Sequence, residues 1–538
     1  MLRLNDKGLT DKAAWEASGV KLPLYDRASM IKKTLQNPAW LHFGTGNIFR
    51  AFIAPLQQRL LNDGKTEVGI IAAEPFDYEI VDAVYKPHDD LALSVGLKAD
   101  GSFNLELVAS VAESIRADSG RNRLDEIAAS KSLQIISVCI TEKGYALKDM
   151  KGDLLGVVKA EMEHGPSNVK HTMSLLAALL LTRFKNGSAP VALLSLDNCS
   201  HNGEKLKSSV TEIARAWNKN GFAGDDFIAW LEDEKQVSFP WSMIDKITPR
   251  PSEVVRDELI KRGIEGMELL ATAKGTYTAP FVNAEIPEYL VIEDNFPAGR
   301  PALERAGAYF TDRDTVNNVE RMKVTTCLNP LHTALAVCGC LLGYKSIASE
   351  MKDSLLKSLV ERIGYAEGMP VVVNPGIFAP HDFIKEVLEE RFPNPFIPDT
   401  PQRIATDTSQ KIPIRYGETL KSYMKRSDLN AGNLVGIPLV IAAWFRYLLA
   451  VDDELNPMEL SGDPMLDELR KGLSGVEAGK PESYKGQLKP FLKNPALFAL
   501  DLFEAGLGEK IEGYFVSMLA GKQAVLNTLA KNLSDSRN

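Results

Sequence analysis

From about Trp40 to Ser200 the chain alternates short, continuous apolar runs with longer stretches of helical period. The runs "AWLHFGTG", "EVGIIAAE", "LQIISVCITEKGY" and "PVALLSLDN" have strand length, while "DEIAASKS" and "HTMSLLAALLLTRFKNG" between them repeat as helices do. Strands covered on both faces lose the in-and-out alternation of half-exposed ones, and "GIIAA", "LQIISVCI" and "PVALLSL" are of that kind. The pattern predicts an α/β fold built on a doubly wound parallel sheet with crossover helices. From Phe239 to Thr311 the proline-marked segments "SFPWSMIDKITPRPS" and "AEIPEYLVIEDNFPAGRP" predict extra strands that complete a first domain at residues 1–312. Beyond it "TVNNVERMK", "HTALAVCGCLLGYKSIASEMKDSLLKSLVERIGYAE", "APHDFIKEVLEERF", "GIPLVIAAWFRYLLAVD" and "KQAVLNTLAKNL" predict a mostly α-helical second domain at 313–538.

Composition supports two globular domains, since 538 residues exceed what one core organises. With 62 basic against 71 acidic side chains, the net charge of −9 gives no global attraction for nucleic acid or for an anionic membrane. The start "MLRLNDKGLT" lacks an apolar signal region, and no run nears eighteen uninterrupted apolar residues, so a cytoplasmic location is expected. Five cysteines, an odd number set mostly in apolar runs, read as reduced core thiols. Cys338 and Cys340 form C-x-C with no histidine pair beside them, and no metal site is expected.

"LHFGTGNIFRAF" places Gly44 and Gly46 where a strand turns into a helix, and glycine there lets backbone N–H groups approach a pyrophosphate. Phe49 stands where the dinucleotide fingerprint has its third glycine, so a tight strand–helix turn is the competing reading. The next strand ends in "AAEPFD", where Glu74, or Asp77 after it, is placed to accept from an adenosine ribose. An acid at that point favours NAD over NADP by repelling a 2′-phosphate. Three other strand ends carry polar clusters: Thr141-Glu142-Lys143-Gly144-Tyr145, Asp197-Asn198 and Asp245-Lys246. For Asp197-Asn198 a helix N-cap competes with a ligand role.

In "RMKVTTCLNPLH", Asn329 and His332 share a helical face, but Lys323 lies six residues before Asn329 and is out of phase with both. Pro330 deepens the conflict, because it has no N–H and crowds the preceding turn. Either Asn329 caps a new helix with Pro330 at its first position, or one helix carries a bulge. Spacing alone favours the plainer assignment of a surface lysine, a capping asparagine and a core histidine.

The motifs taken together change that balance. "HFGTGNIFRAF", "SVCITEKGY", "LLSLDNCSHNG", "MIDKITPR", "VIEDNFPAGRP", "KVTTCLNPLHTAL" and "RFPNPFIPDTPQRIATDTSQKIP", in this order, resemble the long-chain polyol dehydrogenases. That family includes mannitol 2-dehydrogenase, fructuronate reductase (mannonate oxidoreductase) and tagaturonate reductase, and the likeness runs from about Trp40 to at least Lys411. It implies a Rossmann-type domain followed by a helical domain, an active site between them, NAD as cofactor and hydride transfer without a metal. Carried residue by residue, the resemblance makes Lys323 the general base, with Asn329 and His332 polarising the reacting oxygen. It makes Asn198, Asp245, Arg403, Lys411 and Glu142 substrate-side residues. The cofactor set is Gly44, Gly46, Asn47, Ile48, Phe49, Arg50, Glu74 and Thr141. This chain reads K-x5-N-x2-H, one residue more between lysine and asparagine than the family pattern.

A lysine serves as a base near neutral pH when burial and neighbouring cations favour its neutral form, and Arg403 and Lys411 are candidates for those cations. The wording of "LNPLHTALAV" and "RYGETLKSY" resembles the uronate branch, which implies interconversion of D-fructuronate and D-mannonate by a monomer or small homo-oligomer. Mannitol 2-dehydrogenase or tagaturonate reductase activity is the alternative, and a nucleotide- or sugar-acid-binding sensor, or a scaffold, the non-enzymatic one.

Overall fold

The computed structural model describes residues 2–534, and the chain divides into two compact units. The first comprises Met1–Lys98 and Ser102–Asn317, the second Ala99–Gly101 and Asn318–Asn538.

The first unit is built on a parallel sheet of six strands among the described residues: β1 (Trp40–Phe43), β2 (Ile70–Glu74), β3 (Val111–Arg116), β4 (Ile135–Val138), β5 (Val191–Ser195) and β6 (Val237–Ser238). The order β6-β5-β4-β1-β2-β3 is that of a Rossmann sheet, and it reverses between β1 and β4. β1, β2, β4 and β5 are buried along their whole length, as continuous apolar runs require. Even His42 in β1 is fully buried, its ring stacked 4.3 Å from that of Phe49 and its Nδ1 2.7 Å from Ser137 Oγ. Burial pushes its pKa down to about 3, so it is a neutral core residue.

Helix α1 (Ala54–Asn62) follows β1, and α2 (Thr172–Lys185) and α3 (Asn202–Lys219) flank β5 in sequence. In α2 the buried Arg183 donates to the carbonyls of Ala128, Ser130, Leu133, Ala189 and Pro190, satisfying loop ends that no strand pairs. The strands expected from Phe239 to Thr311 form: Ser242–Asp245, Tyr289–Glu293 and Tyr309–Thr311 make a small sheet, and Phe281–Glu285 joins another with Ala92–Leu97 and Phe103–Val108.

The second unit is helical. Helix α4 (Arg313–Met322), which begins in the first unit, runs through a π-helical turn (Lys323–Cys327) into α5 (Asn329–Leu341). The run 313–341 is long and apolar enough to cross a membrane by length and composition, but 78% of its apolar window is buried in the protein, as a core helix requires. Helix α6 (Gly436–Tyr447) is buried on every side. Its N-terminal amides at Val435, Gly436 and Ile437 donate at 2.7–2.8 Å to the carboxylate of buried Glu367, which also receives Arg362 Nε at 3.2 Å. The five cysteines are free thiols.

Candidate active site

The first group of predicted residues lies at the carboxyl ends of β1 and β4, where the strand order reverses and open sheets bind ligands. Gly44 has φ +103°, and a Cβ there would stand 2.1 Å from the carbonyl oxygen of Cys139, just past β4. Both facts demand glycine. Gly46 is exposed with open space before it, and a helical run starts beside that space at Asn47, where first-turn amides are free of helical carbonyl partners as a rule. These features fit a pyrophosphate.

Glu74, at the end of β2, braces this loop. One carboxylate oxygen accepts from the amide and hydroxyl of Thr45 at 2.9 and 2.6 Å, and the other from the amides of Phe76 and Asp77 at 3.0 Å each. Asp77 in turn accepts from the Thr272 hydroxyl at 2.6 Å. Phe49 fills the third-glycine position with a buried ring, and Ile48 beside it is half-buried. Arg50 is buried and donates to Ala279 O, Thr278 Oγ1 and Asn47 Oδ1. The side chains of Phe49 and Arg50 thus hold the loop from behind, whereas Gly44, Gly46 and Asn47 form its rim.

After β4, Thr141 adopts φ +69° and ψ 157°, a region that a side chain enters only under constraint. The constraint is Asp197, whose carboxylate accepts the amides of Ile140 and Thr141 at 2.9 and 2.8 Å and the Tyr145 hydroxyl at 2.5 Å. Asp197 therefore caps the neighbouring strand end and not its own helix, whose N-cap position is His201. Asn198 is exposed in the same loop, Asp245 is buried at the end of its strand, and Glu142 is exposed and ion-paired with Lys205.

The second group lies along the irregular helix of the second unit. Lys323 is the first residue of the π turn, is 4% exposed, and its carbonyl accepts from the amide of Leu328 at 3.1 Å, an i to i+5 bond. The wider turn takes up a residue that a uniform α-helix has no room for. Both features foreseen for this stretch are present, a bulge and a restarted helix, with one correction: Leu328, not Asn329, occupies the cap position, and it caps with no side-chain bond. The amide of Asn329 is not used as a cap.

Neighbouring side chains stabilise the irregularity. Pro330 has no N–H to donate back along the helix, and in the preceding turn the Thr419 hydroxyl donates to the carbonyl of Thr325 at 3.0 Å from outside it. Tyr416 Oη donates to Pro330 O at 2.8 Å, and Arg415 to Thr333 Oγ1 at 2.6 Å and to Asn329 O at 3.3 Å.

His332, 15% exposed, has Nε2 3.3 Å from Asp399 Oδ2, but that nitrogen makes no hydrogen bond among the described residues. Burial, and then Arg415, Arg403, Arg391 and Lys411, push its pKa down to about 3. A neutral imidazole keeps one N–H donor and one acceptor. Arg403 is ion-paired with Asp399. Lys411 Nζ donates to the carbonyls of Ile404 at 3.1 Å and of Thr406, and burial, with Arg415 and Arg403, holds its pKa below the ordinary lysine value. His332, Arg403 and Lys411 thus share one cationic neighbourhood. Sequence reading missed Asp399, Arg391 and Arg415 in it, although Arg415 falls one helical turn after Lys411.

Both halves of this arrangement recur in known proteins. Residues 38–305 match the mannitol dehydrogenase Rossmann domain, and residues 315–514 the mannitol dehydrogenase C-terminal domain. The chain is 54% identical over 533 residues, 98% of each chain, to the D-mannonate oxidoreductase of Thermotoga maritima. It is 30% identical to the mannitol 2-dehydrogenase of Neosartorya fischeri, over 87% of this chain and 88% of that one. The fold matches the Pseudomonas fluorescens mannitol 2-dehydrogenase, solved as a ternary complex with NAD and D-mannitol, with a TM-score of 0.69 at 25% identity over 99% and 100% of the two chains. A glycine turn at a Rossmann switch point and a lysine, asparagine and histidine on a broken helix are thus found here within two domain matches that together span most of the sequence, and the chain belongs to the mannitol dehydrogenase family.

Proposed function

We propose that this protein is an NAD-dependent secondary alcohol dehydrogenase that interconverts D-mannonate and D-fructuronate. The observation that carries the reading is the 54% identity to a D-mannonate oxidoreductase along the whole chain, against 30% for a mannitol 2-dehydrogenase. NAD, when bound, accepts hydride from the alcohol carbon or returns it to the ketone. The glycine turn at Gly44 and Gly46, with the amides that follow, holds the pyrophosphate, and Glu74 keeps that turn in place.

Oxidation needs a base for the hydroxyl proton, and Lys323 takes it; in the reverse direction Lys323 gives it back. As the proton leaves, charge builds on the substrate oxygen. The amide of Asn329 and an N–H of His332 hold that oxygen, and their bonds strengthen as the charge grows. His332 suits this task because it is neutral across the working pH range and gains no charge of its own. Arg403 and Lys411 add positive charge around His332 on the substrate side. Asn198, Asp245 and Glu142 act on the substrate side. The enzyme works in the cytoplasm as a monomer or small homo-oligomer.

Following NADH oxidation with D-fructuronate, D-tagaturonate and D-fructose tests the reading. We expect D-fructuronate to give the highest kcat/KM. A preference for D-fructose returns the protein to the polyol branch, and saturable NADH binding without turnover of any of the three makes it a sensor.

A further inference from the structure

The cations around His332 are not equivalent. Arg403 is neutralised by Asp399. Lys411 makes no ion pair among the described residues, but its ammonium is engaged by two backbone carbonyls. Arg415 is half-buried and also makes no ion pair among the described residues. A guanidinium withdrawn from water without a carboxylate is unfavourable until something supplies one.

Its geometry indicates what that is. Nη1 spends its bonds on Thr333 Oγ1 and Asn329 O, which fixes the group against the first turn of α5, the turn that carries Asn329 and His332. Nε and Nη2 have no protein acceptor among the described residues. Together they form the edge of the guanidinium fork that takes a carboxylate through two parallel bonds. Arg415 also stands first among the charges acting on the His332 ring, so it is a near neighbour of the group proposed to hold the reacting oxygen.

We propose that Arg415 binds the substrate carboxylate and thereby selects anionic sugar acids over neutral ketoses. This rests on the proposed function above and adds the residue that sets it. Thr333 and the Asn329 carbonyl then act as positioning groups, holding the fork in register with the oxygen held by Asn329 and His332.

The test compares wild type with Arg415→Met and Arg415→Lys. For each, kcat/KM is measured on D-fructuronate and on D-fructose, together with binding of D-mannonate and D-mannitol to the NADH complex by fluorescence quenching. We expect Arg415→Met to lower the fructuronate-to-fructose ratio about 100-fold, mainly through KM, with partial recovery in Arg415→Lys. The preference for mannonate over mannitol in binding should collapse with it. A parallel fall on both substrates, with the binding preference kept, overturns the proposal and makes Arg415 a strut of α5. An unchanged ratio overturns it in favour of Arg403 or Lys411. A wild type that reduces fructose better than fructuronate refutes the functional reading instead; the binding pair still decides the role of Arg415, since loss of a mannonate preference in Arg415→Met supports it and no wild-type preference overturns it.

Discussion

Gly44 and Gly46 are two residues apart, yet alanine at each should fail in a different way. At Gly44 the new Cβ would lie 2.1 Å from Cys139 O and 2.9 Å from its carbonyl carbon, both backbone atoms of the strand end beside it. Relief requires the two strand ends to part by roughly 1 Å, and φ +103° adds strain of about 1–2 kcal/mol for any residue with a side chain. Because Thr45 is bonded through Glu74 to β2, the displacement passes straight to the loop amides. A shift of roughly 1 Å at a positioned group costs about 100-fold in function. At Gly46 nothing lies within 4 Å of the added Cβ, so Gly46→Ala should unfold in urea at the wild-type midpoint. The methyl would instead occupy the space proposed for the pyrophosphate. Fluorescence titration with NADH should therefore show both variants weakened by about 100-fold or more, with only Gly44→Ala also losing stability. Wild-type NADH affinity in Gly46→Ala would refute the cradle, and an unchanged urea midpoint in Gly44→Ala would refute the close approach.

Lys323→Ala should lower turnover by roughly 1,000-fold or more while NADH affinity stays near wild type, and near-normal turnover would remove the base assignment. Thr419→Val keeps the shape but leaves Thr325 O without its donor; it should lower the unfolding free energy by about 1–2 kcal/mol in urea, and a neutral result would show that the π turn needs no outside support. His42, His88, His171 and His332 are all held below their ordinary pKa, mainly by burial. The unfolded chain therefore binds protons from pH 6.5 downward while the folded chain does not, so their stabilisation is full above 6.5 and is lost toward about 3 for His42 and His332. Each fully shifted histidine should cost about 1.4 kcal/mol per pH unit in that window, and a urea midpoint that stays flat from pH 7 to 5 would contradict the burial assigned to them.

The parts of the fold legible in the sequence are those whose burial is uniform. β1, β2, β4 and β5 are covered on both faces, and their apolar runs announce them. β3 is an edge strand carrying Glu113, Ser114 and Arg116, and its mixed polarity hides it in a helix-like stretch. The hairpin Ala92–Leu97 and Phe103–Val108 is marked in the sequence only by Asp100-Gly101 between alternating apolar residues, a short local turn signal. The stretch of helical period from His332 to Glu367 breaks at Gly343, with φ +78°, forms a short helix at Ile347–Glu350, and restarts where Asp353 caps the amides of Leu355 and Leu356. In the site, the glycine turn and the Asn329–His332 pair are local and could be read. Asp399 and Arg415 reach His332 only through tertiary packing, which no spacing encodes.

The irregular helix joins two of these features. On a uniform α-helix the interval from Lys323 to Asn329 turns the two side chains to different faces, and the missing N–H of Pro330 strands a carbonyl. The π turn accommodates the interval but supplies no donor in place of the missing N–H, and the Thr419 hydroxyl meets the carbonyl of Thr325 from outside the helix. That donor, Thr419, comes from the same segment as Tyr416, which bonds Pro330 O, and Arg415, which bonds Asn329 O and Thr333. The residue proposed to read the carboxylate is therefore carried by the element that supports the helix bearing the proposed base. The π turn before Asn329 and the guanidinium of Arg415 thus form one structural unit.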